Sequence, residues 1–194
     1  MKKKPNPVVN KGKLYVVSAP SGAGKTTLIK EVLRRFKTLS YSVSHTTRAP
    51  RNNEQQGIDY YFITQEEFKE KINQNYWLEW AVVHGNYYGT SRDFIKTSLD
   101  QGKNLILDID VQGTCEIIKS GLEMVTIFIM PPSIEILSQR LKNRRSDSKK
   151  VIAKRIKNAK LEIAKKNMYQ YIVINDDFDK AREELCLIFK EKMN

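Results

Sequence analysis

Residues 18–27 read SAPSGAGKTT, and the reading of that stretch decides the fold. A phosphate-cradling loop of the form G-x-x-x-x-G-K-[ST] opens with glycine, whereas here the residue five places before Gly24 is Ala19. The flanks favour the loop over a plain turn of small residues. LYVVSA (14–19) is a near-continuous apolar run, and KTTLIKEVLRRF (25–36) carries apolar residues at three- and four-residue spacing, so strand, turn and helix follow in the required order. In that setting the N–H groups of the turn point inward around an anion and the helix directs its positive end at it. Lys25 then reaches phosphate oxygens, and Thr26 can ligate Mg2+. Ala19 falls at the strand end, where an alanine fits if φ stays negative. Gly22 and Gly24 remain for the tight curve.

The rest of the chain repeats the same rhythm. NLILDID (104–110), MVTIFIM (124–130) and YIVIN (171–175) are short apolar runs of the kind that strands covered on both faces require. SRDFIKTSLDQG (91–102), PSIEILSQRLKNRR (132–145) and FDKAREELCLIFKEKM (178–193) have helical spacing. The expected fold is a three-layer α/β core of the P-loop NTPase kind with a parallel sheet, at about residues 13–39, 91–131 and 170–194. Two insertions depart from it. Residues from about 40 to 90 mix aromatics, alternation and turn signals, with a short helix that Thr64 and Glu67 could cap, and predict a small, partly antiparallel lobe. Residues from about 132 to 169 are almost all helical, broken near RRSDSKK, and predict a helical lid.

Composition narrows the partners. With 194 residues the chain supports one sizeable core, and no apolar run approaches the ~20 residues of a membrane span. The basic start MKKKPNPVVNKGK lacks an apolar stretch behind it, and Cys115 and Cys186 stand far apart outside any C-x-x-C arrangement. The expectation is a cytoplasmic protein with no membrane partner, disulfide framework or zinc site. Lys and Arg exceed Asp and Glu by 34 − 22 = 12, a balance that suits nucleic acid, an anionic small substrate or a solvated surface. Arg48 and Arg51 form one cluster and Arg140, Arg144, Arg145 and Arg155 a second, and a guanidinium fork matches phosphate oxygens, which makes a polyphosphate ligand worth testing.

APSGAGKTT, SVSHTTRAPR, GIDYYF, EWAVVHGNYYGTS, LDIDVQG, PPSIEILSQRLKNRR and VINDD occur in that order across about residues 13–188. Together they resemble guanylate kinase. The resemblance implies reversible transfer of the γ-phosphoryl group of ATP to GMP, and to dGMP, with Mg2+. It implies an ATP site of Ser21, Gly22, Ala23, Gly24, Lys25, Thr26 and Thr27, with Arg140 and with Asn175 against the adenine. Ser44, Arg48, Arg51, Tyr60 and Tyr88 would hold the GMP phosphate, Glu79 and Thr90 would read the base, and Asp110 would touch the guanosine. Thr26 and Asp108 would serve the metal and its water shell. Lys25, Arg51, Arg144 and Arg155 would stabilise the transferring group. A carboxylate at Glu79 suits guanine, because it accepts from both N1–H and the 2-amino group, whereas adenine presents a lone pair there. His45 is expected beside the phosphate site and His84 in a hairpin, neither of them catalytic. Lys149 and Lys150 stand where the family usually places acidic residues at the start of the lid helix, against the helix dipole.

Overall fold

The computed structural model describes residues 11–83, 85–143 and 148–193. In chain order its elements are β1 (Leu14–Ser18), α1 (Lys25–Arg35), β2 (Leu39–Ser42), β3 (His45–Thr46), β4 (Tyr61–Phe62), α2 (Gln65–Asn73), β5 (Trp77–Val83), β6 (Asn86–Ser91) and α3 (Arg92–Asp100). There follow β7 (Asn104–Asp108), α4 (Val111–Lys119), β8 (Val125–Met130), α5 (Ile134–Asn143), α6 (Lys149–Ala164), β9 (Tyr171–Ile174) and α7 (Phe178–Met193).

Alternation along β1 builds the three layers. Tyr15 and Val17 face one side of a parallel five-stranded sheet of order β2-β7-β1-β8-β9, where they pack with Leu28, Ile29 and Val32 of α1 and with Leu185 and Phe189 of α7. Leu14 and Val16 face the other side, against Ile95 and Leu99 of α3 and Ile117 of α4. Every residue of β1 is buried, so the strand reads as an unbroken apolar run. The loop after it lies at the carboxyl ends of the strands, between neighbours that end at Asp108 and Met130, where open α/β sheets hold their ligands.

Two elements differ from the sequence-based expectation. β2 pairs in parallel with β7 (Leu39↔Asn104 to Ser42↔Leu107), so the core sheet runs on to Ser42 and the lobe begins after it, not at residue 40. The strand LSYS carries only one aliphatic residue and is held by its place at the edge beside β7. Helix α4 went unforeseen. It starts at Asp110, whose Oδ1 accepts from Gly113 N at 2.9 Å, an N-cap inside what reads locally as a strand end.

The lobe is a mixed sheet of order β4-β3-β6-β5, antiparallel at β5–β6 and β3–β6 and parallel at β3–β4. Thr64 caps α2 by accepting from Glu67 N at 3.1 Å, and the helix buries Phe68, which stacks on Trp77 at 4.3 Å between ring centroids. A bulge interrupts the pairing between Trp77 and Glu79. It turns Trp77 to the same side as Trp80, toward Phe68, and leaves Glu79 and Ala81 to the opposite face. Helices α5 and α6 pack on each other through Leu137, Leu141, Ile152 and Ala159. Ser148 caps α6 by accepting from Val151 N at 3.4 Å, which sets Lys149 and Lys150 in the first turn with no acidic residue beside them.

Candidate active site

Backbone geometry forms the anion-binding loop. Gly22 and Gly24 both adopt φ of 96°, a region that side chains disfavour, and Ala23 N donates to Pro20 O at 3.0 Å to close the curve. Ala19 is not among the positive-φ residues, so a Cβ is tolerated there. Lys25 is the first residue of α1. Its ammonium pairs with Asp108 and donates to Ile109 O at 3.2 Å, which aims it across the strand ends.

A cavity of about 350 Å³ opens over this loop. It is lined by Ser21, Gly22, Gly24, Lys25, Thr26 and Thr27 from the loop, by Ser44, Arg51, Tyr60, Glu79 and Tyr88 from the lobe, by Asp108 and Asp110 from the core, and by Arg155 from α6. Fourteen of the residues singled out in the sequence therefore face one space. Ala19, Pro20, Ala81, Val83, Ile109 and Glu162 line it too and were not foreseen.

On the lobe side, Glu79 is 5% exposed, and Thr90 Oγ1 donates to its Oε1 at 2.6 Å. Burial pushes its carboxyl up to about 7, and the nearby Asp110 charge adds to that while the Thr90 bond opposes it. Its other oxygen lies over Gly113 of α4, where an added Cβ would come within 2.3 Å of Oε2. Gly113 thus makes room for the carboxylate. Tyr60 and Tyr88 meet edge to face at 5.8 Å, and burial raises the Tyr60 phenol to about 12, so it remains a hydroxyl donor at neutral pH.

Five of the foreseen residues stand outside the lining. Arg48 lies behind Tyr88: its Nε donates to Tyr88 Oη at 3.2 Å and its Nη2 to both oxygens of Glu54 at 2.8 and 2.9 Å. The same carboxylate accepts from Arg51 N at 2.9 Å, so Glu54 folds the 48–54 loop and presents Arg51 to the cavity. Thr90 sits behind Glu79. Ala23 is fully buried beneath the loop, and Asn175 is buried against it. Arg140 donates to Asp176 O at 3.4 Å on the exposed side of α5. His45, expected beside the phosphate site, faces the other way: it stacks on Tyr61 at 4.7 Å and meets Trp77 edge-on, and burial drops its imidazole to about 4. Alternation along β3 explains this, since its neighbour Ser44 is the one that faces the cavity. Arg144, Arg145 and His84 lie outside the described residues.

Helix α6 forms the far wall. Arg155 Nη1 donates to Ser21 Oγ at 3.1 Å, and Glu162, two helical turns further along α6, faces the same cavity. Burial raises the Glu162 carboxyl to about 7, helped by Asp110 and opposed by Lys25. In sequence Glu162 is one more charge on an amphipathic helix. Among the described residues no helix is long and apolar enough to cross a membrane.

A phosphate loop and a buried carboxylate read across one cavity narrow the comparison with known proteins. The family profile described as guanylate kinase matches residues 11–192. The chain belongs to the guanylate kinase family. It is 50% identical over 174 residues to a guanylate kinase of Geobacter metallireducens, covering 90% of this chain and 86% of that one. A guanylate kinase of Rickettsia felis is 44% identical over 178 residues, 92% of this chain and 93% of its own. Among solved structures, the guanylate kinase of Anaplasma phagocytophilum superposes with a TM-score of 0.75 at 32% identity, covering 94% of this chain and 87% of that one. At that coverage the likeness spans most of the chain, and the fold is that of a P-loop NTPase.

Proposed function

We propose that this chain transfers the γ-phosphoryl group of ATP to the phosphate of GMP, and of dGMP, giving ADP and the nucleoside diphosphate. The observation that carries the reading is Glu79. A nearly buried carboxylate, freed of steric cover by Gly113 and backed by Thr90, lies in the same cavity as Lys25 and its glycine loop. Guanine offers that carboxylate two N–H donors. Adenine would leave it facing an acceptor, which is costly at such burial.

Each residue then has a physical task. The loop from Ser21 to Thr27 binds the ATP phosphates through N–H groups and the α1 N-terminus. Lys25 exchanges its contact with Asp108 for the β- and γ-oxygens, and Arg51, Arg155 and Arg144 neutralise charge that spreads over the moving group. Ser44, Tyr60 and Tyr88 orient the acceptor phosphate with neutral hydroxyls, and Arg48 acts through Tyr88 and Glu54. Asp110 serves the guanosine, while Arg140 and Asn175 belong to the ATP side. Mg2+ would bind Thr26 and, through water, Asp108, an all-oxygen donor set completed by phosphates, and would neutralise phosphate charge. Both residues line the cavity. No side-chain nucleophile is needed, because the reaction depends on positioning and electrostatics. The lobe from about 43 to 90 takes GMP, the helices from about 132 to 169 act as the lid, and the location is the cytoplasm, with nucleotides and no nucleic acid as partners.

The test is ADP release from Mg-ATP with GMP, dGMP, AMP, dTMP or no acceptor. Release should require GMP or dGMP. Equal release without an acceptor would replace the proposal with a simple ATPase, and a preference for AMP would remove Glu79 as the base reader.

A further inference from the structure

Asn175 sits just past the end of β9 and is 6% exposed. Its backbone N–H donates to Met130 O at 2.8 Å, which fixes its Cα to the sheet edge. From there its side-chain Nδ2 donates to Ala23 O at 2.7 Å, in the middle of the phosphate loop. A second contact falls on the same peptide: a Cβ built on Gly24 would come 2.3 Å from Asn175 Nδ2. The amide group therefore fills the space a side chain at Gly24 would need, besides holding the carbonyl that precedes it.

A trans peptide points its C=O and N–H in opposite directions. Drawing the Ala23 carbonyl back onto Asn175 turns the N–H of Gly24 away from β9, toward the side of the loop that faces the cavity. Gly24 lines that cavity and Asn175 does not. Gly24 O, in the next peptide along, accepts from Leu28 N at 3.2 Å, so the residue that Asn175 abuts also opens helix α1, directly before Lys25. One of the two N–H donors of the amide is thus committed to the loop before any nucleotide arrives.

We propose that Asn175 is a positioning residue for the phosphate loop: its amide fixes the Ala23–Gly24 peptide so that the Gly24 N–H meets a donor phosphate, whatever base the donor carries. The role rests on the phosphate-loop reading above and extends it to a residue that the resemblance places against adenine. A base contact and a loop contact make opposite predictions for a ligand that has no base.

The experiment measures calorimetric binding of Mg-ATP and of Mg-tripolyphosphate to wild type, Asn175→Ala and Asn175→Asp, with GMP as a control. Asn175→Ala should weaken ATP and tripolyphosphate by the same factor, about three- to tenfold for one net hydrogen bond, with GMP binding unchanged. Asn175→Asp keeps shape and acceptor oxygens but sets a carboxylate against the Ala23 carbonyl, so it should bind both more weakly than the alanine variant. Amide exchange in the nucleotide-free protein should quicken across residues 21–25 in both variants, which a base contact would not cause. Weakening of ATP alone, or wild-type binding in Asn175→Asp, would overturn the role. Wild-type protein that bound neither ligand would overturn the loop assignment and this role with it. Nitrogen NMR of the wild-type Asn175 amide adds a measurement free of mutation. Two inequivalent NH2 protons, one of them slow to exchange with water before any nucleotide is added, support the loop bond, and an NH2 pair that averages and exchanges freely refutes it.

Discussion

Replacing Glu79 by Gln should stabilise the ligand-free protein and cripple its use of GMP, and the first effect has a pH signature. Burial raises the Glu79 carboxyl from an ordinary 4.5 to about 7. The folded chain therefore holds this proton more tightly than the unfolded chain does. That contribution to stability is fully present below pH 4.5 and is lost as pH rises through 7. At about 1.4 kcal/mol per tenfold change in proton affinity, the ionised group costs the fold about 3 kcal/mol at pH 8. Gln keeps the shape and an oxygen for the Thr90 hydroxyl but cannot ionise. In a chain of this size the gain corresponds to about 6–12 °C in melting temperature at pH 8, shrinking to about 2–3 °C at pH 5. The assay is thermal unfolding of both proteins at the two pH values without nucleotides, in which titrating groups that do not interact with Glu79 cancel from the difference. An equal gap at pH 5 and pH 8 would refute the argument. In turnover, kcat/KM for GMP should fall by about 30- to 1,000-fold while the KM for ATP barely moves.

Three further outcomes follow from particular contacts. Gly113→Ala puts a methyl within reach of the Glu79 carboxylate and should raise the KM for GMP about tenfold or more without affecting ATP, checked by steady-state kinetics on each substrate. Glu54→Ala releases Arg48 and the Arg51 backbone together, so GMP affinity should fall about tenfold. Calorimetry with GMP that matched wild type would remove Glu54 from the phosphate side. Lys149→Glu with Lys150→Glu reverses two charges at the N-terminus of α6, and each should contribute roughly 0.3–1 kcal/mol, read as a small rise in melting temperature that salt diminishes.

The core was legible because its signals are local. A buried strand, two glycines forced to positive φ and a helix beginning at Lys25 lie within one stretch of about twenty residues, and each shows in the residue types. β2 escaped because LSYS is only four residues long and runs straight into the aromatic and turn-rich segment after it, so only its pairing with β7 assigns it to the core sheet. α4 escaped because it follows the apolar run of β7 almost without a break and contains Gly113, a poor helix former that Glu79 requires from another part of the chain. Arg48 and Arg51 read alike in sequence, and it is the fold of their loop around Glu54 that sends one behind Tyr88 and the other into the cavity. Glu162 shares the pattern of any solvated helix charge, and its place follows from the packing of α6 against the loop. Contacts between distant segments are what a local pattern omits.

The bulge in β5 also makes the protein its own optical sensor. Both tryptophans of the chain, Trp77 and Trp80, are in this one strand on either side of the Glu79 position. Trp77 is enclosed against Phe68, and Trp80 is 40% exposed, so the pair combines a shielded indole with one open to solvent quenchers. Neither the parallel sheet nor the described part of the lid contains another indole. Ultraviolet emission excited at the indole band therefore reports on the lobe alone, and titration with a monophosphate would change it while filling of the donor site on its own leaves it unaltered. A stopped-flow instrument could follow the arrival of the acceptor in real time with no dye attached.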